Sequence, residues 1–360
     1  MNNTLSSYLK DRDNNFNLIR FIAATLVLVS HCYPLFFGNA DNEPLKSLVG
    51  ISFGTVAVDL FFISSGFLIA NSLFNRKSLS YFIKARALRI YPGLIVSLMI
   101  TVFILGLCFT TLTTSQYLTD LQTYKFLFIN MILFFGEEAA LPGVFEGLPW
   151  AKTVNGSLWT LPFEVRAYVL LVLVGVTLGY CEKKSKIFGK KELYLLIPIL
   201  GMSVFILDYF YTILPISYFG AEYARLLSMF FIGVAFYKYR EKIVLSNKLF
   251  YILVVLLILS AKYNQLFFLV YNCSLAYLVF YIAYVPKGFI RKFNAHGDYS
   301  YGIYIYAFPV QQAILALNAN ITLFTFFLTS LVLTLFFAYL SWQFVEKRAL
   351  KLKNVKFKLF

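Results

Sequence analysis

Apolar residues in this chain are gathered into long blocks that are separated by short polar and basic segments. Because an α-helix rises about 1.5 Å per residue, roughly 20 apolar residues are needed to cross a bilayer. Two of the blocks, 121–136 and 249–262, are marginal by length. The pattern predicts an all-α, polytopic integral membrane protein, with eleven candidate stretches at 14–37, 51–73, 91–112, 121–136, 157–180, 193–212, 221–237, 249–262, 266–285, 299–318 and 321–345.

The placement of basic residues selects one topology. If 121–136 does not cross and the N-terminus is cytoplasmic, 25 of the 32 Lys and Arg residues fall on the cytoplasmic side. Cytoplasmic loops of membrane proteins carry such an excess, and a crossing at 121–136 would reverse it for every later loop. We therefore predict about ten transmembrane helices with both termini cytoplasmic, and 121–136 as a re-entrant or interfacial segment. Residues 1–360 form one membrane domain, with a basic cytoplasmic tail at 346–360.

Composition agrees with this class and narrows the partners. Hydrophobic residues are 60% of the chain and charged residues 14%, against about 45–50% and about 25% in soluble domains. The net charge of +15 does not indicate a nucleic-acid partner, because the basic residues flank apolar blocks instead of covering one face. The four cysteines are single and widely spaced, so neither a disulfide framework nor a metal site is predicted. The polar N-terminus has no cleavage site of the signal-peptide type, so no removable signal peptide is predicted. The expected partner of the apolar spans is membrane lipid.

Ionisable residues inside apolar spans are costly and mark function or an internal ion pair. Arg20 and His31 lie 11 residues apart in the first span, which places them on one helix face about 16 Å apart. Counted from the outer boundary, His31, Asp59 and Glu164 are predicted to lie at one depth on three helices. Such convergence suits proton transfer. Structural ion pairs between helices are the alternative.

Two further arginines lie between the second and third predicted spans. Arg86 and Arg89 are one helical turn apart on a basic amphipathic segment that is predicted to end at Pro92. Paired guanidinium groups suit phosphate binding. Attraction to anionic lipid headgroups explains the same pattern equally well.

These segments resemble the acyltransferase-3 family, the polytopic, acyl-CoA-dependent acetylases of O-antigen and other envelope glycans. The first span, NLIRFIAATLVLVSHCYP, carries the family's Arg-x10-His as Arg20 and His31, and RALR at 86–89 matches its Arg-x-x-Arg pair. VDLFFISSGFLI, NGSLWTLPFEVRAY, GDYSYGIYIYAFPV and FVEK resemble four further family motifs. The resemblance runs in order from about residue 14 to 348. One departure is Ala307, where the family commonly has histidine.

The resemblance implies a function and a set of site residues. Acyl-CoA, with acetyl-CoA first, would be the cytoplasmic donor substrate, no cofactor would stay bound, and a saccharide or lipid-linked glycan would be the acceptor. The location implied is a bacterial inner membrane. The expected residues are His31, Glu164 and Asp59 for catalysis, Arg20, Arg86, Arg89 and Ser65 for the donor, and Trp159, Tyr168 and Tyr304 for the acceptor.

Within this reading, His31 is the general base on a sugar hydroxyl or, as a second possibility, accepts the acyl group itself. Asp59 or Glu164 would orient its imidazole. The main rival function is a transporter or flippase of glycolipid, because membrane acids and a histidine also suit a proton-coupled carrier. The absence of an inverted repeat and the presence of the Arg86–Arg89 pair argue against that rival. A non-catalytic envelope scaffold is the third possibility.

Overall fold

The computed structural model describes residues 4–9, 13–75, 78–184, 190–211 and 218–354. Predicted basic segments at 10–12, 76–77, 185–189 and 355–360 lie outside the described residues. Within the described part the chain is helical, and its only β-pairing consists of two isolated bridges. The helices are α1 Phe16–Phe37, α2 Pro44–Val49, α3 Phe53–Asn75, α4 Leu79–Phe109, α5 Thr114–Thr119, α6 Leu121–Ile132, α7 Leu161–Lys184, α8 Lys190–Tyr211, α9 Tyr218–Lys238, α10 Asn247–Ser260, α11 Asn264–Tyr284, α12 Ser300–Leu317 and α13 Leu323–Lys351.

Six helical segments of the described chain are long and apolar enough to cross a membrane: α1, α3, α4, Gly156–Thr177, α11 and α13. The prediction of an all-α polytopic membrane protein is confirmed at this level, whereas the count of ten spans and the orientation of the termini stay predictions. Helix α6 has 12 residues and is therefore about 18 Å long, shorter than the roughly 30 Å hydrocarbon core.

Helix α4 corrects the predicted start of the third span. Ser78 caps its first turn by accepting a hydrogen bond from the Tyr81 backbone amide, and the helix then runs through Pro92 to Phe109. Arg86 and Arg89 are therefore part of a candidate span and not of a surface loop that ends at Pro92. The hydropathy pattern misses this because carboxylates from distant segments partner Arg89, and those partners make the charge tolerable inside the bundle.

Glycines let α3 and α9 pack with their backbones in contact. A Cβ atom at Gly66 would collide with the carbonyl oxygen of Phe230, and one at Gly233 would collide with that of Ile63. Small residues at such crossings are the usual means of close helix packing in membranes. Helix α1 packs against α3 on one side and α12 on the other, which places its Arg20–His31 face at the centre of the bundle.

The segment before α7 enters the bundle. The Asn155 side-chain amide donates to the Ile305 carbonyl at 3.0 Å, and Gly156 lies so close to the Phe308 ring that a Cβ there would clash. A 3-10 turn, Gly156–Thr160, follows and leads directly into α7. As a result α7 begins inside the bundle, beside α12, and carries Glu164 away from the outer boundary.

Candidate functional site

Three arginines from two helices meet around one small cavity. This arginine cavity measures about 40 Å³, and its lining includes Arg20, Ser65, Arg86, Arg89, Glu164 and Tyr168. The volume is enough for only a few water molecules. The helix face that carries Arg20 and the turn that carries Arg86 and Arg89 thus converge on the same point.

Two of these arginines have carboxylate partners at the ends of α12 and α13. Arg89 pairs with Asp298 at 2.5 Å and with Glu346 at 3.3 Å, and Arg20 lies 3.9 Å from Asp298. Burial opposes ionisation of Asp298, but Arg20 and Arg89 lower its pKa to about 2. Asp298 is therefore charged at neutral pH and bridges α1 and α4.

Arg86 differs from its two neighbours. Its Nε atom, like that of Arg20, is buried without a hydrogen-bond partner, but within the described part of the chain Arg86 is the one of the three that forms no ion pair. A buried guanidinium donor without an acceptor is costly. Arg86 therefore has donor capacity directed at the arginine cavity that an anionic ligand would satisfy.

Glu164 is held by two hydroxyl groups. Ser65 Oγ donates to Glu164 Oε1 at 3.2 Å, and the Tyr168 hydroxyl donates to the same oxygen. Ser65 and Tyr168 are also hydrogen-bonded to each other at 3.0 Å. The predicted donor-binding Ser65 and acceptor-binding Tyr168 thus form one unit with the predicted catalytic acid.

A second cavity of about 40 Å³, the inner cavity, continues from Arg20, Ser65 and Glu164 towards α12. Thr160 and Tyr304 also line it and are hydrogen-bonded to each other at 2.5 Å. The arginine and inner cavities share these residues of α1, α3 and α7, so together they form one narrow path through the centre of the bundle.

His31 lies beyond the end of this path. Its ring contacts Phe308 edge-on, with 5.2 Å between ring centroids, and Phe308 is one helical turn, about 6 Å, beyond Tyr304. The Nδ1 atom of His31 is buried without a hydrogen-bond partner. Ala307, the departure from the family pattern, is fully buried in the apolar cluster that joins α1 and α12 near His31.

The predicted common depth of the three acid and base groups is not observed. Glu164 bonds Ser65, which is six residues, or about 9 Å, further along α3 than Asp59. Glu164 therefore lies at the level of Arg20, because the chain enters the bundle before α7 begins. In the described part of the chain neither Asp59 nor Glu164 forms a hydrogen bond with His31, which corrects the expectation that one of them orients the imidazole directly.

Asp59 belongs to a different cluster. It is fully buried, forms an ion pair with Arg225 of α9 and accepts a hydrogen bond from Tyr271 of α11 at 2.9 Å. Glu222 also pairs with Arg225. Arg225 lies within the predicted span 221–237, and the sequence pattern does not show that its partner is Asp59, although an intramembrane charge calls for a partner.

Trp159 occupies the 3-10 turn before α7, next to Thr160 of the inner cavity. Its ring contacts Phe163 edge-on with centroids 5.7 Å apart.

Two residues of the site were missed by the sequence analysis. It gave no role to Asp298 and Glu346, although both stand in the quoted motifs GDYSY and FVEK. Their nearness to Arg89 depends on how α12 and α13 pack, which no local pattern reveals.

Comparison with known proteins identifies relatives of the chain. The acyltransferase-3 family model, described as an acyltransferase domain, matches residues 13–343, a range that contains all ten predicted site residues. The chain is 29% identical over 352 residues to an O-acetyl transferase of Shigella phage Sf6, which covers 97% of this chain and 99% of that protein. It is also 32% identical over 167 residues to Nodulation protein 10 of Rhizobium leguminosarum bv. viciae, covering 45% of this chain and 44% of that protein. No solved structure matches.

Proposed function

This chain belongs to the acyltransferase-3 family, and from that premise we propose that it is a multi-pass membrane O-acyltransferase. In this proposal it moves an acyl group, acetyl first, from cytoplasmic acyl-CoA to a hydroxyl of an envelope or lipid-linked saccharide in a bacterial inner membrane. The O-acetyl transferase similar to it over nearly its whole length supports oxygen as the acceptor atom.

The observation that carries the donor assignment is the unpartnered Arg86 beside Arg20 and Arg89. Acyl-CoA is a polyanion, and guanidinium groups bind phosphate through charge-assisted hydrogen bonds. Arg89 is already paired with Asp298 and Glu346, so Arg86 is the arginine that gains most from a phosphate. Arg20 and Arg89 would then add positive potential around it.

From the arginine cavity the pantetheine arm would follow the inner cavity towards His31. The Arg20–His31 face of α1 gives this path a length of about 16 Å. Each cavity is only about 40 Å³, so the arm has to widen the path, and Phe308 has to turn away from His31. Phe308 is thus the last side chain between the thioester and the imidazole.

The chemical step then needs one base. A neutral imidazole has one nitrogen that accepts a proton, and His31 would take the proton of the sugar hydroxyl as its oxygen attacks the thioester carbonyl. The oxygen–acyl bond forms, the sulfur–acyl bond breaks, and the proton on His31 returns to the departing CoA thiolate. Glu164, held by Ser65 and Tyr168, lies beside the arginines without touching His31.

The test uses the purified protein in lipid nanodiscs with acetyl-CoA as donor. De-O-acetylated polysaccharide from a strain that lacks the gene serves as acceptor. We expect release of CoA thiol together with a mass increase of the polysaccharide that corresponds to acetyl groups. Transfer of the saccharide across proteoliposomes with no CoA release would instead show a transporter and would overturn the proposal.

A further inference from the structure

A larger cavity lies on the side of α7 that faces away from the arginine cavity. This α7 groove measures about 470 Å³ and is lined by three aromatic residues, Phe135, Phe163 and Tyr223, with Glu137 and Arg166 between them. On α7, Phe163 and Arg166 point to the groove, whereas Glu164 lines the two central cavities. The body of helix α7 therefore separates the groove from the candidate site. No residue of the groove has a role in the proposed function.

Arg166 is fixed in place at the floor of this groove. Its Nε and one terminal nitrogen both donate to the Phe134 carbonyl, at 2.9 and 2.6 Å. The guanidinium also lies over the Phe134 and Phe163 rings, 6.0 and 5.6 Å from their centroids. These contacts hold the end of α6 against α7, which gives the groove a rigid wall.

Glu137 stands beside Arg166 without a committed partner. Among the described residues its carboxylate forms no ion pair and accepts no hydrogen bond from another residue. The adjacent Glu138, by contrast, pairs with Lys125 at 2.8 Å. Glu137 is partly buried and lines the groove, and beyond its own backbone amide and the attraction of Arg166 its carboxylate keeps acceptor capacity for a ligand hydroxyl.

Aromatic rings connect the groove with the candidate site. Tyr223 contacts Phe163 with centroids 5.4 Å apart, and Phe163 contacts Trp159 at 5.7 Å. Trp159 directly precedes Thr160, which lines the inner cavity. A row of three rings therefore runs from the groove to the 3-10 turn that precedes α7.

A sugar ring has an apolar face of C–H groups and a rim of hydroxyls, and this combination fits the α7 groove. Aromatic rings offer the apolar face a flat surface, and the carboxylate of Glu137 accepts from the hydroxyls. The volume is within the range of about 300–1,000 Å³ that is usual for ligand pockets. An acidic sugar fits less well, because Glu137 would repel its carboxylate.

We propose that the α7 groove binds a neutral sugar residue of the acceptor saccharide, several residues along the chain from the one that is acylated. A helix is about 10–12 Å across, and His31 lies a further 16 Å or so along α1 from the level of Glu164, so a sugar in the groove is too far from His31 to be the reacting one. The groove therefore sets which saccharide is accepted and holds it while a more distant residue of the same saccharide reaches His31. This inference rests on the proposed function.

The test compares Glu137→Gln and Tyr223→Ala with a matched control, Glu138→Gln, which changes the neighbouring paired carboxylate. Each variant is assayed in nanodiscs with acetyl-CoA and the de-O-acetylated polysaccharide as separately varied substrates. We expect Glu137→Gln and Tyr223→Ala to raise the KM for the polysaccharide about 10-fold or more, the effect of losing a charge-assisted contact or a stacking surface. The KM for acetyl-CoA should rise far less, and the control should keep the wild-type KM for the polysaccharide. Equal polysaccharide KM values in wild type and Glu137→Gln would overturn the inference.

A second measurement needs no donor. Saturation-transfer NMR with the same polysaccharide should show contact between protein and sugar ring protons in the wild type and a weaker signal in Tyr223→Ala. If the wild type releases no CoA yet gives this signal, the groove stands and the proposed chemistry fails. Absence of the signal from folded wild-type protein would show that the groove does not bind the saccharide.

Discussion

At the scale of single residues, His31 is the most direct test of the chemistry. It lies against Phe308 with Nδ1 buried and unpartnered, so no carboxylate in contact with it shares its role. We expect His31→Ala and His31→Gln each to lower acyl transfer about 10²–10⁴-fold, the usual effect of a positioned base. Membrane insertion should survive, because removing an ionisable group from a span favours insertion. The measurement is acetylated glycan per unit of folded protein. Near-normal product from His31→Gln would leave His31 with a structural role only.

Replacing Arg86 and replacing Arg89 by alanine should have different effects, one on donor binding and the other on stability. Arg86→Ala should weaken acetyl-CoA binding, by about 1.5–3 kcal/mol per charge-assisted hydrogen bond lost, and leave the fold intact. Arg89→Ala is the matched variant one turn away, and it should lower thermal stability because Asp298 and Glu346 lose their ion pair. The measurements are the KM for acetyl-CoA and the Tm in detergent. An unchanged KM in Arg86→Ala would assign that residue to lipid headgroups.

The sequence predicts that Arg20 and His31 share one face of a helix, because helical periodicity depends only on their spacing along the chain. The sequence does not predict the depth of Glu164 in the bundle, because that depth is set by the path of residues 155–160. Irregular backbone at such a position is tolerated only where it is buried in protein, and the Asn155 side chain anchors it by donating to the Ile305 carbonyl. The partners of Asp59 were also out of reach, because periodicity gives the face of a helix and not the neighbour that it meets.

At the scale of elements, the buried cluster of Asp59, Arg225 and Tyr271 joins α3, α9 and α11. Asp59 and Arg225 are 0% and 3% exposed, and removing Asp59 leaves the buried Arg225 with Glu222 as its remaining carboxylate partner among the described residues. We expect Asp59→Ala to destabilise the protein by about 3–5 kcal/mol and a double Asp59→Leu, Arg225→Met variant to recover much of that loss. Thermal unfolding in detergent measures both. A stable but inactive Asp59→Asn variant would instead favour the catalytic role that the sequence suggested.

Asp298 should make the stability of the junction between α1, α4 and α12 depend on pH. Its pKa is lowered from 3.8 to about 2, because Arg20 and Arg89 outweigh the effect of burial. A carboxylate with a lowered pKa stabilises the fold above its ordinary pKa, and this contribution is lost as the pH falls through the folded-state pKa. The Tm difference between wild type and Asp298→Asn should therefore be full at about pH 5 and should shrink between about pH 4 and pH 2. A difference that stays constant over this range would show that Asp298 acts by packing alone.

At the scale of the whole molecule, hydropathy located α1, α3, α11 and α12 within about two residues at each end. It could do so because lipid contact requires a continuous apolar helix. Helix α4 begins 12 residues before the predicted third span, and its Arg89 is compensated by carboxylates contributed from residues 298 and 346. The all-helical class can thus be predicted from the local hydropathy pattern. The positions of the charged residues inside the bundle cannot, because tertiary contacts determine them.

Orientation is the property of the whole molecule that charge placement predicts. The predicted topology puts 25 of the 32 basic residues on one side, or 23 without Arg86 and Arg89 of α4. That side should be cytoplasmic, and it carries the arginine end of the donor path. Gly147 and Gly288 are matched insertion points, because at both of them a side chain would meet open space. We expect a fluorescent reporter at Gly288, or fused after Phe360, to fold in the cytoplasm, and one at Gly147 to be accessible only from outside. Reversed signals at Gly147 and Phe360 would contradict the ten-span topology. They would also place the arginine cavity on the side away from cytoplasmic acyl-CoA.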